Sequence, residues 1–573
     1  MELSATELNL QELYDELFPI CRSITGPGYE KSLQILQRYI PLNIESFDTG
    51  TRVFDWTVPS EWKFMSATLK DPDGNVIIDA EKNSLHILNF SEPFTGQVSL
   101  EELKEHIVYD ENLPDAIPYR TAYYTSRWGF CMSYNQFKQL KDGMYEVDIQ
   151  TKKRKRGSLK VGVCELKGES SRVVLISAPL CHPSMLNNEL SGPLALVCLY
   201  HLIKAMPQRR FTYRFVLNPE TIGSISYLSD HHQDLKKRLE YGMVLTCLAA
   251  PRTKGAPKDE IKTISIEEPN SLWMEDDEQL AFHEKLLKDF KDSFNHNFLE
   301  LPISFKLSRQ SYMDALEFDF SKEQDNHIKG YREGGYFEKS LSLNTSCYKE
   351  LTDTTLNDST RIEMYKTHLA YFDRAVNPNH LLGYHIYSDP AKSAFKCKYT
   401  IDNRLRNIAF AEPERYSLRT FCPTTGSDER QYCSPVLNLP CVQACRTQYA
   451  IYDSYHSSLD NQDQFSLCSI IDSAIKLYEV IRYYEIADLK PSVLLPGEPQ
   501  LGYHGLYPNN NDPANLVKKG LASDQLILTM YLISLSSGTY TTKQIMTFLK
   551  TSPLRISRLI YKLRDKGIIE LVK

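Results

Sequence analysis

A chain of 573 residues with 42% hydrophobic and 24% charged residues is too long for one simple core and too apolar to be chiefly disordered, so two to four domains are expected. Its net charge of -7 excludes a chain that coats nucleic acid along its whole length. The start MELSATELNLQELYDELF lacks the basic and apolar regions of a secretory leader, and apolar runs such as LILTMYLISL reach about ten residues against the roughly 20 of a membrane helix, so a cytoplasmic protein without membrane contact is expected.

The first forty residues carry Leu10, Leu13, Leu17, Leu33, Ile35, Leu36 and Tyr39 at helical spacing around Gly26-Pro27-Gly28. From Thr51 the runs shorten and alternate, rich in Val, Ile, Phe and Trp, with a hairpin turn at Asp73-Gly74. This reads as a small inserted β-sandwich over residues 46–128. Strands and helices then alternate: RVVLISAPL leads into LSGPLALVCLYHLIKAM, RFTYRFVLN into IGSISYLSDHHQDLKKRL, and GMVLTC follows. Such alternation predicts an α/β domain on a mostly parallel sheet, built from residues 1–45 and 129–490. Residues 252–386 show no chemical pattern and read as an insertion. A Pro-rich linker over 491–514 precedes a last domain at 515–573. The 13 cysteines are odd in number and form no CxxC pair, which favours reduced thiols over a disulfide framework.

His182 stands at the carboxyl end of an apolar strand, where open α/β sheets bind ligands. Alone it is more often structural than a metal ligand. The next strand ends at Pro219-Glu220-Thr221, which puts a carboxylate at the same sheet edge, though a helix-start glutamate favoured by the dipole is the plainer explanation. Further on, TGSDERQYCSP carries Asp428, Glu429, Arg430 and Tyr432, and DSYHSSLDNQDQF carries His456.

Together, LCHPSMLNNELSG, NPETIGSISYLS, TGSDERQYCSP and YHSSLDN resemble the aminopeptidase-like family of the clan MH zinc exopeptidases, a family associated with polysaccharide biosynthesis. ELFPICRSITGPGY, VFDWTVPSEW, NSLHILNFSEPF, IPYRTAYY, WGFCMS and GEPQLGYHGLYP extend the likeness over most of the chain outside about 252 to 386. The resemblance implies a zinc-exopeptidase-like domain, an inserted jelly-roll-like domain and a C-terminal winged helix. It also implies metal-assisted amide hydrolysis, with His182 and His456 as zinc ligands and Glu220 as general base. Asp389 is the aspartate ligand it suggests, because GMVLTCLAAPR offers no acid after the third strand. Asp428, Glu429, Arg430 and Tyr432 then orient ligands or bind substrate, with Arg446 a neighbour.

Two positions depart from the family pattern. The family's NDNLSG is here Asn187-Asn188-Glu189-Leu190-Ser191-Gly192, so Asn188 occupies the place of a metal-bridging aspartate. One neutral amide oxygen cannot bridge and neutralise two cations. Glu189 is displaced by roughly 100° in a regular helix and rescues the site only if the loop is rebuilt. Thr221 stands where two-metal relatives carry a glutamate, which favours one zinc per chain over two. Two readings therefore stay open: a mononuclear zinc hydrolase or amide-forming relative acting on a peptide or amide-containing small molecule, or a metal-poor descendant that binds a peptide-like or amino-sugar ligand, or a partner, without turning it over. Cys181 as a thiol nucleophile is weaker than Cys181 as a packing residue.

A third reading concerns the C-terminus. From Thr541 to Lys573 there are eight Lys or Arg and two acids. Ile556, Leu559, Ile560 and Leu563 form an apolar face while Arg555, Arg558 and Lys562 form a basic one, as in a winged helix-turn-helix that meets DNA, or a protein-contact module with solvated charges. A homo-oligomer is compatible with the sequence.

Overall fold

The computed structural model describes residues 4–268, 276–320, 355–366, 396–423, 425–449, 451–506 and 520–573. At the N-terminus, α1 (Leu10–Leu17) is capped by Asn9, whose side chain accepts the amides of Gln11 and Glu12, and it buries Leu10, Leu13, Tyr14 and Leu17. The next helix, α2 (Pro27–Leu36), starts after Gly26 at φ +97°, where an added Cβ would sit 1.9 Å from the carbonyl oxygen of Trp62. Only glycine fits that turn.

A first strand, β1 (Asn43–Asp48), leads into the small β-domain, made of β2 (Glu61–Lys70), β3 (Val76–Asp79), β4 (Phe94–Ser99) and β5 (Met144–Arg154). They form one antiparallel sheet in the order β3-β2-β5-β4. The Asp73-Gly74 hairpin is present: Gly74 has φ +85°, and Asp71 Oδ1 accepts the amides of Asp73 and Asn75. The expected boundary at residue 128 moves, because Met144–Arg154 is the strand that joins β2 to β4.

The large sheet contains β1, β6 (Ser158–Leu166), β7 (Val173–Pro179), β8 (Thr212–Asn218), β9 (Leu239–Leu245), β10 (Ile303–Lys306), β11 (Tyr416–Arg419) and β12 (Cys441–Cys445), in the order β11-β10-β12-β9-β7-β8-β6-β1. The sheet expected to be mostly parallel is mixed, with four of its seven strand pairings parallel, β10-β11 among them. The centre, β12-β9-β7-β8, is parallel, whereas β8-β6, β6-β1 and β12-β10 are antiparallel. Strands joined by crossover helices must run parallel, and those outside that alternation are free not to. The expectation that 252–386 is a plain insertion is also corrected, because β10 lies inside the sheet between β11 and β12.

Between β7 and β8 runs α3 (Ser191–Lys204), which buries every residue but Lys204. A helix apolar on all sides belongs in the middle of a domain. Each fully buried Leu contributes about 1.5–3 kcal/mol. After β8 comes α4 (Ile222–Arg238), and α5 (Thr400–Ala411) and α6 (Cys468–Ile486) complete the helices that matter here.

At the C-terminus, α7 (Gly520–Leu535), α8 (Thr542–Leu549) and α9 (Pro553–Asp565) precede β14 (Ile569–Val572), which pairs antiparallel with β13 (Lys490–Val493). The segment read as linker thus begins as a strand. Helix α9 lies against the α/β domain: Arg558 pairs with Glu412 at 3.2 Å and Glu479 at 3.0 Å, and Tyr561 donates to the carbonyl of Arg482. No helix among the described residues is long and apolar enough to cross a membrane, and the described cysteines are free thiols.

Candidate active site at the carboxyl edge of the sheet

Strands β7 and β8 run parallel with Pro179 opposite Asn218, so the loops that leave them emerge side by side. That register brings His182 and Glu220 together, with His182 Nε2 3.8 Å from Glu220 Oε2. His456 arrives from a distant loop, its ring centroid 5.3 Å from that of His182. Two imidazoles sharing one tetrahedral zinc have centroids about 5 Å apart, given Zn–N bonds of roughly 2 Å. The Nε2 of His456 is buried and has no hydrogen-bond partner among the described residues. Burial first, then the charges of His182 and Arg120, lower its proton affinity well below the ordinary histidine value, so this imidazole is neutral.

Glu189 is the residue that the sequence reading set aside. Residues Leu186–Leu190 form a single π turn ahead of α3, which changes the angular phase of the helix start. The fully buried carboxylate of Glu189 turns back onto His182. Its Oε2 lies 2.5 Å from His182 Nδ1, and its Oε1 accepts the amides of His182, at 2.8 Å, and Cys181. Charge-assisted bonds of this kind fix the tautomer and leave Nε2 facing the site. Burial alone would lower the proton affinity of His182, but Cys181 and Glu189 reverse the sign and raise it.

The Cys181, His182 and Glu189 donor atoms lie close together, yet they do not make a metal shell, because Nδ1 already bonds Glu189 directly. Burial pushes the Cys181 thiol up to about 11, far from a nucleophilic thiolate. From the N-terminus, buried Arg22 donates through Nε to the carbonyl of His182 at 3.0 Å.

Asp460 organises the π turn from below. It accepts the amides of Asn187 at 2.6 Å and Asn188 at 2.9 Å and the hydroxyl of Tyr452 at 3.0 Å. Nothing but its position four residues after His456 signals it in the sequence. Asn188 is therefore fixed through its backbone, whose carbonyl also accepts the Thr246 hydroxyl at 3.2 Å.

Glu220 is partly exposed, and its Oε1 accepts the Ser427 hydroxyl at 2.5 Å. Desolvation raises its proton affinity, with His182 and Ser427 opposing and Glu189 adding to the rise. The remaining predicted residues divide sharply. Asp428 is fully buried and accepts from Thr221 N at 2.7 Å, Ser224 Oγ at 2.9 Å and Asn218 Nδ2 at 2.7 Å. It holds the Glu220 loop in shape, and burial followed by Glu220 pushes its carboxyl up to about 7.

Glu429, also fully buried, faces Lys306 Nζ at 3.1 Å and accepts the amide of Ser427 at 2.9 Å. Lys306 comes from β10 and also donates to Tyr449 Oη at 2.6 Å and Thr425 O at 2.8 Å. Among the described residues Arg430 donates to Pro423 O, at 3.4 Å. Tyr432 has no exposed surface and belongs to the core, so it cannot touch a ligand. Arg446 is likewise buried, bonded to Leu301 O, Ser469 O and Asp472. Asp389 lies outside the described residues.

Backbone strain concentrates here. Ser184, Thr221, Cys247 and His456 hold φ of +50°, +64°, +51° and +56° on four loops of this edge. Non-glycine residues reach that region at a cost, and such outliers cluster at working sites.

Comparison with known proteins places this geometry. Residues 11–347 and 388–487 match the model of a family described as a domain of unknown function, DUF4910. The chain belongs to the DUF4910 family. The DUF4910 chain is 40% identical over 245 residues to a Clostridium acetobutylicum protein named a putative polysaccharide biosynthesis protein with aminopeptidase-like domain. That alignment covers 43% of this chain and 56% of the relative, so it spans little more than half of the curated protein's length. Among solved structures, a putative peptidase from Clostridium acetobutylicum superposes with TM-score 0.63 and 25% identity, over 98% of this chain and 96% of that one. A zinc aminopeptidase from Bacillus subtilis is more distant, with TM-score 0.40 and 10% identity over 84% of this chain and 96% of its own. The DUF4910 chain thus has an aminopeptidase-like fold on a mixed α/β sheet.

Proposed function

We propose that the site binds one zinc ion and hydrolyses an amide of a peptide or of an aminoacylated biosynthetic intermediate. The observation that carries this reading is the buried, unpartnered Nε2 of His456, 5.3 Å between ring centroids from a His182 whose other nitrogen is fixed by Glu189. Among the described residues the site offers two of the three protein donors that a catalytic zinc takes. Two neutral imidazole nitrogens suit zinc, and an outer carboxylate on one of them is the usual support. A second ion does not fit, because Asn188 offers an amide where a bridge needs a carboxylate, and Thr221 adds none.

A bound zinc supplies polarisation of the amide carbonyl and acidification of a water molecule. Glu220 does the proton work. With Oε1 tied to Ser427, its Oε2 faces the imidazoles and is placed to take a proton from water and deliver it to the departing amine. Tyr119 and Tyr455, packed on the two imidazoles, limit access of bulk water. Zinc binds imidazole in its deprotonated form, so metal uptake at this site should weaken as pH falls.

The name of the Clostridium relative supports a biosynthetic setting for the substrate. The free thiols support a reducing, cytoplasmic location. We read the four-stranded sheet as the inserted jelly-roll-like domain and α8, α9 and β14 as a winged helix that serves an internal contact, since Arg558 is held by Glu412 and Glu479. Asn188 favours a second reading, ligand binding without turnover.

The test is elemental mass spectrometry of zinc in full-length protein and in a His182→Ala/His456→Ala variant, followed by an amide-cleavage screen with Glu220→Gln as control. Near one zinc per chain, absent from the double variant, with cleavage lost in Glu220→Gln, is expected. Zinc without any cleavage would select the binding reading. Protein that takes up no zinc would overturn the metal site.

A further inference from the structure

Residues 117–124 carry the small β-domain to the two imidazoles. Their backbone is stitched to the His456 loop: Tyr119 N donates to His456 O at 2.7 Å, Ser458 N donates to Ile117 O at 2.9 Å, and Ile117 N donates to Ser458 Oγ at 3.0 Å. The Tyr119 ring stands edge-on to both imidazoles, with centroids 4.8 Å from His182 and 5.4 Å from His456.

From there aromatic groups lead outward without a break. Tyr119 and Tyr123 share a hydroxyl hydrogen bond of 2.6 Å, Tyr123 meets Tyr124, and Tyr124 meets Trp56 edge to face at 5.7 Å. The last pair faces solvent, Tyr124 being 62% and Trp56 38% exposed. In the same segment Arg120 is exposed and forms no salt bridge among the described residues. Among the described residues its guanidinium donates from Nη1 to Tyr119 O, at 2.9 Å. A guanidinium with no acidic partner among the described residues is placed to meet an anion through two parallel N–H donors.

We propose that residues 117–124 together with Trp56 form the recognition wall of the site, and that its ligand is an amide carrying both a ring and an anionic group. Arg120 takes the anion, a carboxylate or a phosphate, and Tyr124 with Trp56 takes the ring. This deepens the reading of an amide-directed site and rests on it. It makes the β-domain the specificity element and leaves the chemistry to the α/β domain. Tyr119 couples the two, because the carbonyl that receives Arg120 belongs to the residue whose amide holds the His456 loop.

The test uses the full chain with zinc added, on a Glu220→Gln background so that ligands stay intact, and calorimetric titration with four probes. Alanyl-tyrosine carries ring and carboxylate, alanyl-tyrosinamide the ring alone, alanyl-phosphotyrosinamide ring and phosphate, and alanyl-alanine the carboxylate alone. At least one anionic tyrosyl probe is expected to bind roughly tenfold or more tighter than alanyl-tyrosinamide; which one does so separates carboxylate from phosphate. Arg120→Ala and Arg120→Gln should erase that difference while keeping the preference for a ring, and Trp56→Ala/Tyr124→Ala should do the reverse.

Equal binding of charged and uncharged tyrosyl probes overturns the proposal. So does an anion preference that survives in both Arg120 variants, or no binding of any probe. Zinc measured in the same samples keeps the two readings apart. Zinc-free protein that still prefers the anion sinks the metal site and leaves the wall standing.

Discussion

Glu189 Oε2 lies 2.5 Å from His182 Nδ1, and the other oxygen of the same carboxylate accepts the backbone amide of His182 at 2.8 Å. One side chain therefore fixes both the ring and the main chain of the same histidine. Replacing it with the isosteric amide keeps the shape and removes the charge. Glu189→Gln is expected to weaken zinc binding by about 10–100-fold, read by competition with a chelating dye. Unchanged affinity would show that the pair is structural only.

Asn188 offers a reciprocal experiment. Asn188→Asp introduces a carboxylate beside Asp460, which already accepts the Asn188 amide. Without metal the added charge should lower the melting temperature. With zinc the variant should gain more stability than the parent, and its metal content should rise, since ligand binding to the folded state alone stabilises it by mass action. Equal gains in both proteins would mean that residue 188 does not reach the metal.

Gly192 tests the close fit of α3 on the sheet. An added Cβ would sit 2.4 Å from the carbonyl oxygen of Leu245, a backbone atom that cannot swing away. Gly192→Ala should cost about 1–3 kcal/mol in urea unfolding. A neutral result would indicate that α3 can slide.

The pH dependence of stability should carry the mark of Asp402. This buried carboxyl accepts from Ser308 N at 2.9 Å and Ser308 Oγ at 2.6 Å, and burial still pushes it up to about 7. In the unfolded chain an aspartate titrates near about 3.9. Between those values the folded state holds the extra proton, so this group makes stability fall as pH rises from about 4 to 7. Asp402→Asn stays neutral throughout. Its melting temperature should decline less than the parent's between pH 5 and pH 8, and parallel declines would remove Asp402 from the account.

The meeting of His182 and Glu220 was legible from where strands end. His182 and Glu220 follow β7 and β8, and a parallel register guarantees that such loops are neighbours. Glu189 was misjudged because the 100° step assumes regular α geometry, and the π turn at Leu186–Leu190 breaks that assumption. Lys306 escaped notice because ISFK is a four-residue strand in a stretch dominated by helical and acidic pieces. Of the two roles open to Asp428, its bonds around the Glu220 loop fit orientation rather than substrate contact, and Tyr432 lies in the core. A sequence shows that a polar side chain lies near a loop, not whether it faces the cleft or supports it from beneath.

The stitching of residues 117–124 to the His456 loop has a temporal side. The Asn187 and Asp460 contact spans 273 residues of chain, and Ile117 and Ser458 are 341 apart. Contacts so distant along the chain close late, because loop entropy is lost before they form. The two imidazoles, 274 residues apart in the chain, are therefore expected to meet late in folding. A chelatable metal probe added during refolding should report the last event of assembly, trailing the recovery of helical signal.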